Sequence, residues 1–182
     1  MWHWLLIATV VCGHLFALIA EGRLNRSNMA FLLHSGAEEV AHGYSDRFHL
    51  WGHFIIPLSV TEYVLHGFSS NPGNQLIGAF ILILALLLRV WSIQTLGRMW
   101  SRKCFYIYGV PLVRKGPYRF LKHPEYMSRL LDIAGLTLLF SAWWSGTVCF
   151  LAALFYLTKI VPLEQRQLDM MAFQNLKPPH SS

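Results

Sequence analysis

The chain has 182 residues, of which 54% are hydrophobic and 13% are charged, and its formal net charge is +6. A soluble domain usually carries about 25% charged residues, so this composition excludes an ordinary soluble fold and indicates a single-domain membrane protein. Eight of the 15 Lys and Arg residues lie between Arg98 and Arg129, among apolar segments. That placement fits the positive-inside rule and excludes a nucleic-acid-binding class, which would need a recognisable binding fold.

Three apolar runs in the first half predict membrane spans at residues 2–20, 49–65 and 75–97. The first run ends at Glu21, where charged residues mark a membrane interface. Residues 26–47 are too polar to span a bilayer, so we expect a short interfacial helix and a loop there.

In the second half, residues 104–113 alternate aromatic and apolar side chains, which fits either a strand or an irregular loop. Residues 127–161 are apolar with a break at Trp143–Gly146. The two predicted helices, of about 14 and 16 residues, would be about 21 and 24 Å long. Because the hydrocarbon core is about 30 Å thick, we expect either a shallow helical hairpin or two strongly tilted helices. Residues 169–182 are predicted to be a disordered tail.

These elements predict an all-α integral membrane fold with about five transmembrane or partly spanning helices, the last two forming the hairpin. The single domain, residues 1–182, divides into a first part of three spans, residues 1–97, and a core at residues 98–168. The basic loop after the third span is predicted to be cytoplasmic. Counting back through the three spans places the amino terminus outside.

Possible metal ligands are sparse. Cys12, Cys104 and Cys149 match no zinc or redox spacing, so three free thiols are expected. His49 and His53 stand four residues apart, which suits either a metal or the interfacial end of a helix. No second pair of histidines follows them, so no metal site is predicted.

Polar and turn-forming residues concentrate at 114–126, RKGPYRFLKHPEY. Gly116-Pro117 favours a chain reversal, because Gly tolerates positive φ and Pro fixes φ. His123 is pushed out of the α region by Pro124. This bent, basic, aromatic segment suits a polar small molecule that docks at a membrane face.

Three short motifs in register resemble the isoprenylcysteine carboxyl methyltransferase family of integral membrane methyltransferases. They are Gly-Pro-Tyr-Arg at 116–119, Lys-His-Pro-Glu-Tyr at 122–126 and Leu-Glu-Gln-Arg-Gln-Leu at 163–168. The resemblance implies S-adenosyl-L-methionine as cofactor and S-adenosyl-L-homocysteine as product. The bacterial alkylpyrone and alkylresorcinol O-methyltransferases have a further similar element, matched by Asn28, Leu32, Leu33, Gly36, Ala37, Glu39, Gly43 and Tyr44.

The resemblance also implies which residues hold the cofactor. Glu164 can accept hydrogen bonds from ribose hydroxyls, and the tyrosines offer rings to stack and hydroxyls to bond. The alternative is that Glu164 is the polar end of a helix and the tyrosines belong to an interfacial belt. The implied cofactor residues are Val110, Pro111, Leu112, Val113, Tyr118, His123, Pro124, Tyr126 and Glu164.

The acceptor side departs from the family pattern. An Arg that the family often has four residues before the Glu is Ile160 here, and Glu125 replaces a residue that is commonly small or an amide. Arg129 and Lys159 remain as substrate-side candidates. Asp132 is either a base or orienting group for the acceptor or a salt-bridge partner of Arg129. The expected acceptor is an apolar-tailed phenol or enol, with a prenylcysteine-like carboxylate as the other possibility.

Other classes of membrane protein share parts of this pattern. Sterol-type reductases that use NADPH have His-Pro-x-Tyr-x-x-Glu, but Arg129 stands at the position of that Glu. A di-metal desaturase would need several His-rich boxes. A non-catalytic homologue is the third alternative. The expected partners are the lipid bilayer and a lipophilic or lipidated substrate.

Overall fold

The computed structural model describes residues 2–40, 48, 52–111 and 113–176. Predictions for Gly43-Tyr44, His49, Leu112 and the tail from Lys177 therefore lie outside the described residues. The all-α membrane fold is confirmed, and three of its helices are long and apolar enough to cross a bilayer. The helices that lie wholly within the described residues are α1 (Trp2–His34), α2 (Ile55–Leu65), α3 (Pro72–Leu96), α4 (Pro124–Phe140) and α5 (Trp143–Leu176).

Helix α1 continues well beyond Glu21, so the predicted end of the first span was wrong. Its 33 residues run to His34 and include the first part of the segment expected to be interfacial. Glu21 does not mark an interface because its side chain points inward and is 8% exposed, paired with Arg89 and Arg129. With that charge paired inside the protein, the helix continues to His34.

Helix α2 is shorter than the predicted second span. It begins at Ile55 after a turn at residues 52–54 and has 11 residues, which gives about 17 Å. Helix α3 agrees with the predicted third span and has clear end signals. Asn71 caps its start by accepting a hydrogen bond from the Gly73 amide at 2.8 Å, and Gly97, at φ 55°, ends it.

The last two helices form the expected hairpin, but with different lengths. The break lies at Ser141, which has the left-handed φ of 49°, and Trp143–Gly146 already belongs to α5. Glu62 caps this start by accepting hydrogen bonds from the amides of Trp144 and Ser145. At 34 residues, α5 is about 51 Å long. The second arm is therefore long enough to span the bilayer, and residues 169–176 are helical instead of disordered.

Glycines let the helices approach closely around α4. A Cβ on Gly78 of α3 would lie 2.5 Å from the Leu139 amide nitrogen, and one on Gly146 would lie 1.9 Å from Thr137 Oγ1. Small residues at such contacts bring helix backbones together in membranes. The close packing fixes α4 between α3 and α5. The first turn of α4 contributes to the cavity described in the next subsection.

A short antiparallel strand pair lies beside this bundle. Strand β1 (Glu38–Val40) pairs with β2 (Cys104–Tyr106), with Glu39 opposite Phe105. Lys103 Nζ lies 2.9 Å from Glu39 Oε2, which adds an ion pair across the strands. Residues 104–111 are therefore part strand and part turn, and their strand partner comes from the region expected to be interfacial.

Candidate functional site

A cavity of about 720 Å³ opens where the loop 101–123 meets the first turn of α4 and the 164–169 stretch of α5. Its size falls within the range of about 300–1,000 Å³ typical of small-molecule sites. Eight of the nine residues that the resemblance implies for the cofactor line its wall, and Leu112 lies outside the described residues. The eight are Val110, Pro111, Val113, Tyr118, His123, Pro124, Tyr126 and Glu164.

Glu164 is the polar centre of this wall and is only 1% exposed. The Tyr126 hydroxyl donates a hydrogen bond to Glu164 Oε1 at 2.7 Å, and His123 Nδ1 lies 3.5 Å from Oε2. The rings of His123 and Tyr126 stack with centroids 5.3 Å apart. Pro124 begins α4 between these two residues, so the chain bend predicted from His-Pro sets both side chains toward α5.

The ionisation of His123 is set mainly by burial. Burial lowers the pKa of its imidazole, while the Glu164 carboxylate opposes this shift and Lys122 adds to it. A neutral imidazole at neutral pH can both donate and accept hydrogen bonds. His123 is therefore suited to bind a polar ligand without adding charge.

Tyr118 is positioned by a tight turn at residues 116–119. Gly116 has φ 54°, and a Cβ there would lie 2.4 Å from Thr95 Oγ1, so both conformation and space require glycine. Burial raises the pKa of the Tyr118 phenol, and the charge of Glu125 adds to this. Tyr118 therefore stays protonated and remains a hydrogen-bond donor inside the cavity.

Glu125 also lines the cavity, one residue before Tyr126. Its Oε1 accepts a hydrogen bond from Trp100 Nε1. The residue lies in the first turn of α4, outside the three candidate spans. Burial raises the pKa of its carboxyl to about 7, against the opposing effects of the Trp100 hydrogen bond and the Arg129 charge. The sequence signalled Glu125 only as a departure from the family motif.

A buried ion cluster lies behind the cavity wall and joins α1, α3 and α4. Arg89 Nη1 and Arg129 Nη2 lie 3.4 and 3.2 Å from the Glu21 carboxylate. Asp132 accepts a hydrogen bond from Arg89 and lies 3.8 Å from Arg129. Arg102, which does line the cavity, reaches Glu21 at 3.7 Å. Of this cluster, the sequence suggested only the pair of Asp132 with Arg129, although Arg89 within an apolar run was a usable signal for the rest.

The predicted acceptor-side residues do not join the cofactor residues in the cavity wall. Arg129 is 3% exposed and belongs to the ion cluster. Asp132 lies in the same cluster, where it makes the salt bridge with Arg129 that was the alternative to a catalytic role. Lys159 lies over the Phe155 ring at 5.7 Å on α5. Their proposed roles toward the acceptor remain predictions.

The histidine candidate for a metal has another partner in the structure. His53 Nδ1 lies 2.7 Å from His14 Nε2 of α1, inside the bundle. Among the described residues, no group of three or more His, Cys, Asp and Glu is arranged to hold a metal ion.

Three long apolar helices, with a cavity lined by both polar and apolar residues at one end of the bundle, describe an integral membrane protein. Residues 76–170 match the model of the isoprenylcysteine carboxyl methyltransferase (ICMT) family. The chain is also 31% identical over 141 residues to the uncharacterized protein YpbQ of Bacillus subtilis, covering 77% of this chain and 80% of the relative. No solved structure matches the chain significantly. The chain belongs to the ICMT family of membrane methyltransferases.

Proposed function

We infer that this protein transfers a methyl group from S-adenosyl-L-methionine to an oxygen atom of a lipophilic acceptor at the membrane. The observation that carries this inference is the meeting of Tyr118, His123, Tyr126 and Glu164 in the wall of one cavity. These four residues come from three separate sequence motifs, and the hydrogen bond from Tyr126 to Glu164 joins two of them. Membership of a methyltransferase family supplies the reaction class.

The described wall fits the chemistry of this cofactor. The Glu164 carboxylate has about four lone-pair positions, so it can accept hydrogen bonds from ribose hydroxyls as well as from Tyr126. The ring of Tyr118 offers a face on which a purine can stack, whereas the ring of Tyr126 stacks on His123. The bound cofactor would supply an activated methyl group, and the contribution of the protein is to hold both reactants in line.

The cavity wall also offers separate approaches for the two reactants. Arg119 and Lys122 line its basic side, which suits access from the cytoplasm under the positive-inside rule. Leu32, Leu96 and Met99 line an apolar side formed by the ends of α1 and α3, which suits an acceptor tail arriving laterally from the bilayer. We therefore assign lateral access to the side that Leu96 lines.

The residues at the acceptor side favour a phenol or enol acceptor over a carboxylate. Ile160, which replaces the family's Arg, is 2% exposed and packs in the apolar core. A cationic partner for an acceptor carboxylate is therefore missing at that described position. A prenylcysteine-like carboxylate remains the competing acceptor.

The decisive experiment is methyl transfer in detergent from tritiated S-adenosyl-L-methionine into lipid extract, protein and candidate phenols. Label in an apolar-tailed phenol supports the proposal, and label in a farnesylcysteine peptide alone overturns the choice of acceptor. Mass spectrometry of the ligand that copurifies with the protein tests the cofactor. A nicotinamide dinucleotide there would favour a reductase, and titration with S-adenosyl-L-homocysteine that gives no binding would overturn the function.

The orientation is tested by labelling a cysteine placed in the basic loop. Lys115→Cys introduces a thiol at an exposed position, in a background in which Cys12, Cys104 and Cys149 are serine. An impermeant maleimide should label it in inverted vesicles but not in intact cells. Labelling in intact cells would reverse the orientation.

A further inference from the structure

Glu125 is held firmly at the wall of the cavity. Trp100, whose Nε1 donates to Glu125 Oε1, is 1% exposed. The Trp100 carbonyl in turn accepts a hydrogen bond from the buried Asn28 side chain at 2.8 Å. A carboxylate oriented by a donor that is itself fixed has the arrangement that general bases need.

A purely structural role for Glu125 would be to place a negative charge at the positive N-terminal end of α4. A residue with that role alone gains nothing from leaving water, because burying a carboxylate is costly. Glu125 instead lines the cavity and is partly buried there. The charged groups that act on it are Arg129 on the same helix, Glu21 of α1 and Arg89 of α3.

We propose that Glu125 is the general base of the methyl transfer and that the acceptor is a hydroxyl compound, a phenol or enol with an apolar tail. This rests on the proposed function. The acceptor oxygen would form a bond to the methyl carbon, the carbon–sulfur bond would break with its electron pair staying on sulfur, and the hydroxyl proton would pass to a Glu125 carboxylate oxygen. The proton then leaves Glu125 for water, and the carboxylate is restored.

Asp132, the candidate from sequence, is less suited to this role. It stands seven residues further along α4, about 10 Å deeper in the bundle. It is bound by Arg89 and lies near Arg129, outside the cavity wall. These contacts hold its carboxylate in the ion cluster, away from an acceptor bound in the cavity.

The carboxylate of Glu125 also selects among acceptors. A phenol or enol must lose a proton to become a good nucleophile, and a nearby carboxylate provides for this. A carboxylate acceptor is already ionised at neutral pH and would be repelled by a second carboxylate in the same cavity. The replacement of the usual small or amide residue by Glu125 therefore points to a hydroxyl acceptor.

The first test compares wild type with Glu125→Gln and Asp132→Asn. The probes are 5-pentadecylresorcinol as acceptor and S-adenosyl-L-homocysteine as calorimetric ligand. Glu125→Gln should keep its affinity for the ligand within about threefold, lose about 10²–10⁴-fold in kcat/KM and lose the inflection near pH 7. Asp132→Asn should keep that inflection.

Infrared spectroscopy gives a readout that needs no turnover. A protonated-carboxyl stretch that is present in wild type and absent in Glu125→Gln should titrate at about pH 7. Trp100→Phe removes a donor to the carboxylate, so both this titration and the kinetic inflection should move to higher pH. A merely structural role for Glu125 would leave the kinetic inflection where it is.

The outcomes distinguish a failure of the general-base assignment from a failure of the proposed function. In one outcome, Glu125→Gln binds S-adenosyl-L-homocysteine and also keeps its methylation rate within threefold and its pH profile. That result overturns the assignment of Glu125 as general base and leaves the proposed methyltransferase function intact. Methylation of N-acetyl-S-farnesylcysteine but not of the resorcinol overturns the hydroxyl acceptor. Absence of ligand binding in wild type overturns the proposed function, and this assignment with it.

Discussion

Tyr126 donates a hydrogen bond to Glu164 across 2.7 Å and so ties α4 to α5 at the wall of the cavity. The two residues are separated by 38 positions in the chain. Their contact joins two of the three family motifs, so we expect a change at either residue to affect the cavity wall.

Glu164→Gln should keep the shape of the side chain and lose its charge. Charge-assisted hydrogen bonds contribute about 1.5–3 kcal/mol, so affinity for S-adenosyl-L-homocysteine should fall about ten- to a hundredfold. Tyr126→Phe is the matched control, because it removes the internal partner and leaves the carboxylate. Titration calorimetry that finds wild-type affinity in Glu164→Gln would remove this residue from the cofactor site.

Glu164→Ala should lower both the affinity for S-adenosyl-L-homocysteine and the thermal stability of the protein more than Glu164→Gln does. The residue is 1% exposed, so the truncation leaves the buried Tyr126 hydroxyl without this acceptor, at a cost of about 1–3 kcal/mol. Melting curves of the empty protein in detergent should show a lower Tm than for Glu164→Gln. An unchanged Tm would mean that water fills the site without penalty.

The stability of the protein should fall on acidification, in part through His123. Burial lowers the pKa of this imidazole in the folded protein below its ordinary value of 6.5. The unfolded chain therefore binds more protons below about pH 6.5, and stability is lost as pH falls through that range. Melting curves at pH 8 and pH 5 should differ less in His123→Gln than in wild type. An equal difference in both proteins would assign the effect to other groups.

Cys104 should resist alkylation although it lines the cavity. Burial, with a smaller contribution from Glu164, raises the pKa of its thiol to about 12. At pH 8 roughly one thiol in ten thousand would then be the reactive thiolate. Iodoacetamide followed by peptide mass spectrometry should show slow modification of Cys104 in folded protein and fast modification after denaturation. Equal rates in the two states would contradict the protection of this partly buried thiol.

Gly116→Ala should displace the turn that carries Tyr118. The new Cβ would stand 2.4 Å from Thr95 Oγ1 at a φ of 54°. Gly109→Ala is the control, because Gly109 has φ 79° but nothing within 4 Å of an added Cβ. Cofactor affinity should fall more in Gly116→Ala, and Thr95→Ala should partly restore it. Equal losses in the two glycine variants would mean that backbone strain alone is responsible.

The short motifs predicted the cavity well because they fix local geometry. Gly-Pro at 116–117 and His-Pro at 123–124 dictate bends whatever the surroundings, and both bends are present with the expected side chains in the wall. Glu164 could be assigned only through the resemblance to a family, since no local pattern shows which cavity an isolated Glu will face.

Helix ends that depend on distant partners could not be predicted. Glu21 was interpreted as an interfacial charge because Arg89, its partner, lies 68 positions away. Gly146 was interpreted as a break, yet it is a close packing contact with Thr137 inside a helix. In both cases the deciding interaction is tertiary and overrides the local signal.

Helix α5 joins a lipid-facing apolar part to the cavity wall, and Pro162 lies inside the helix two residues before Glu164. Val148, Leu151 and Phe155 are exposed on its apolar part, and Glu164 follows about 24 Å beyond Val148. A helix whose apolar length does not match the surrounding bilayer adapts by tilting, and a tilt of α5 would swing Glu164 relative to Tyr126. We therefore expect the thickness of the host membrane to change the tilt of α5 and, through the position of Glu164, the affinity for the cofactor.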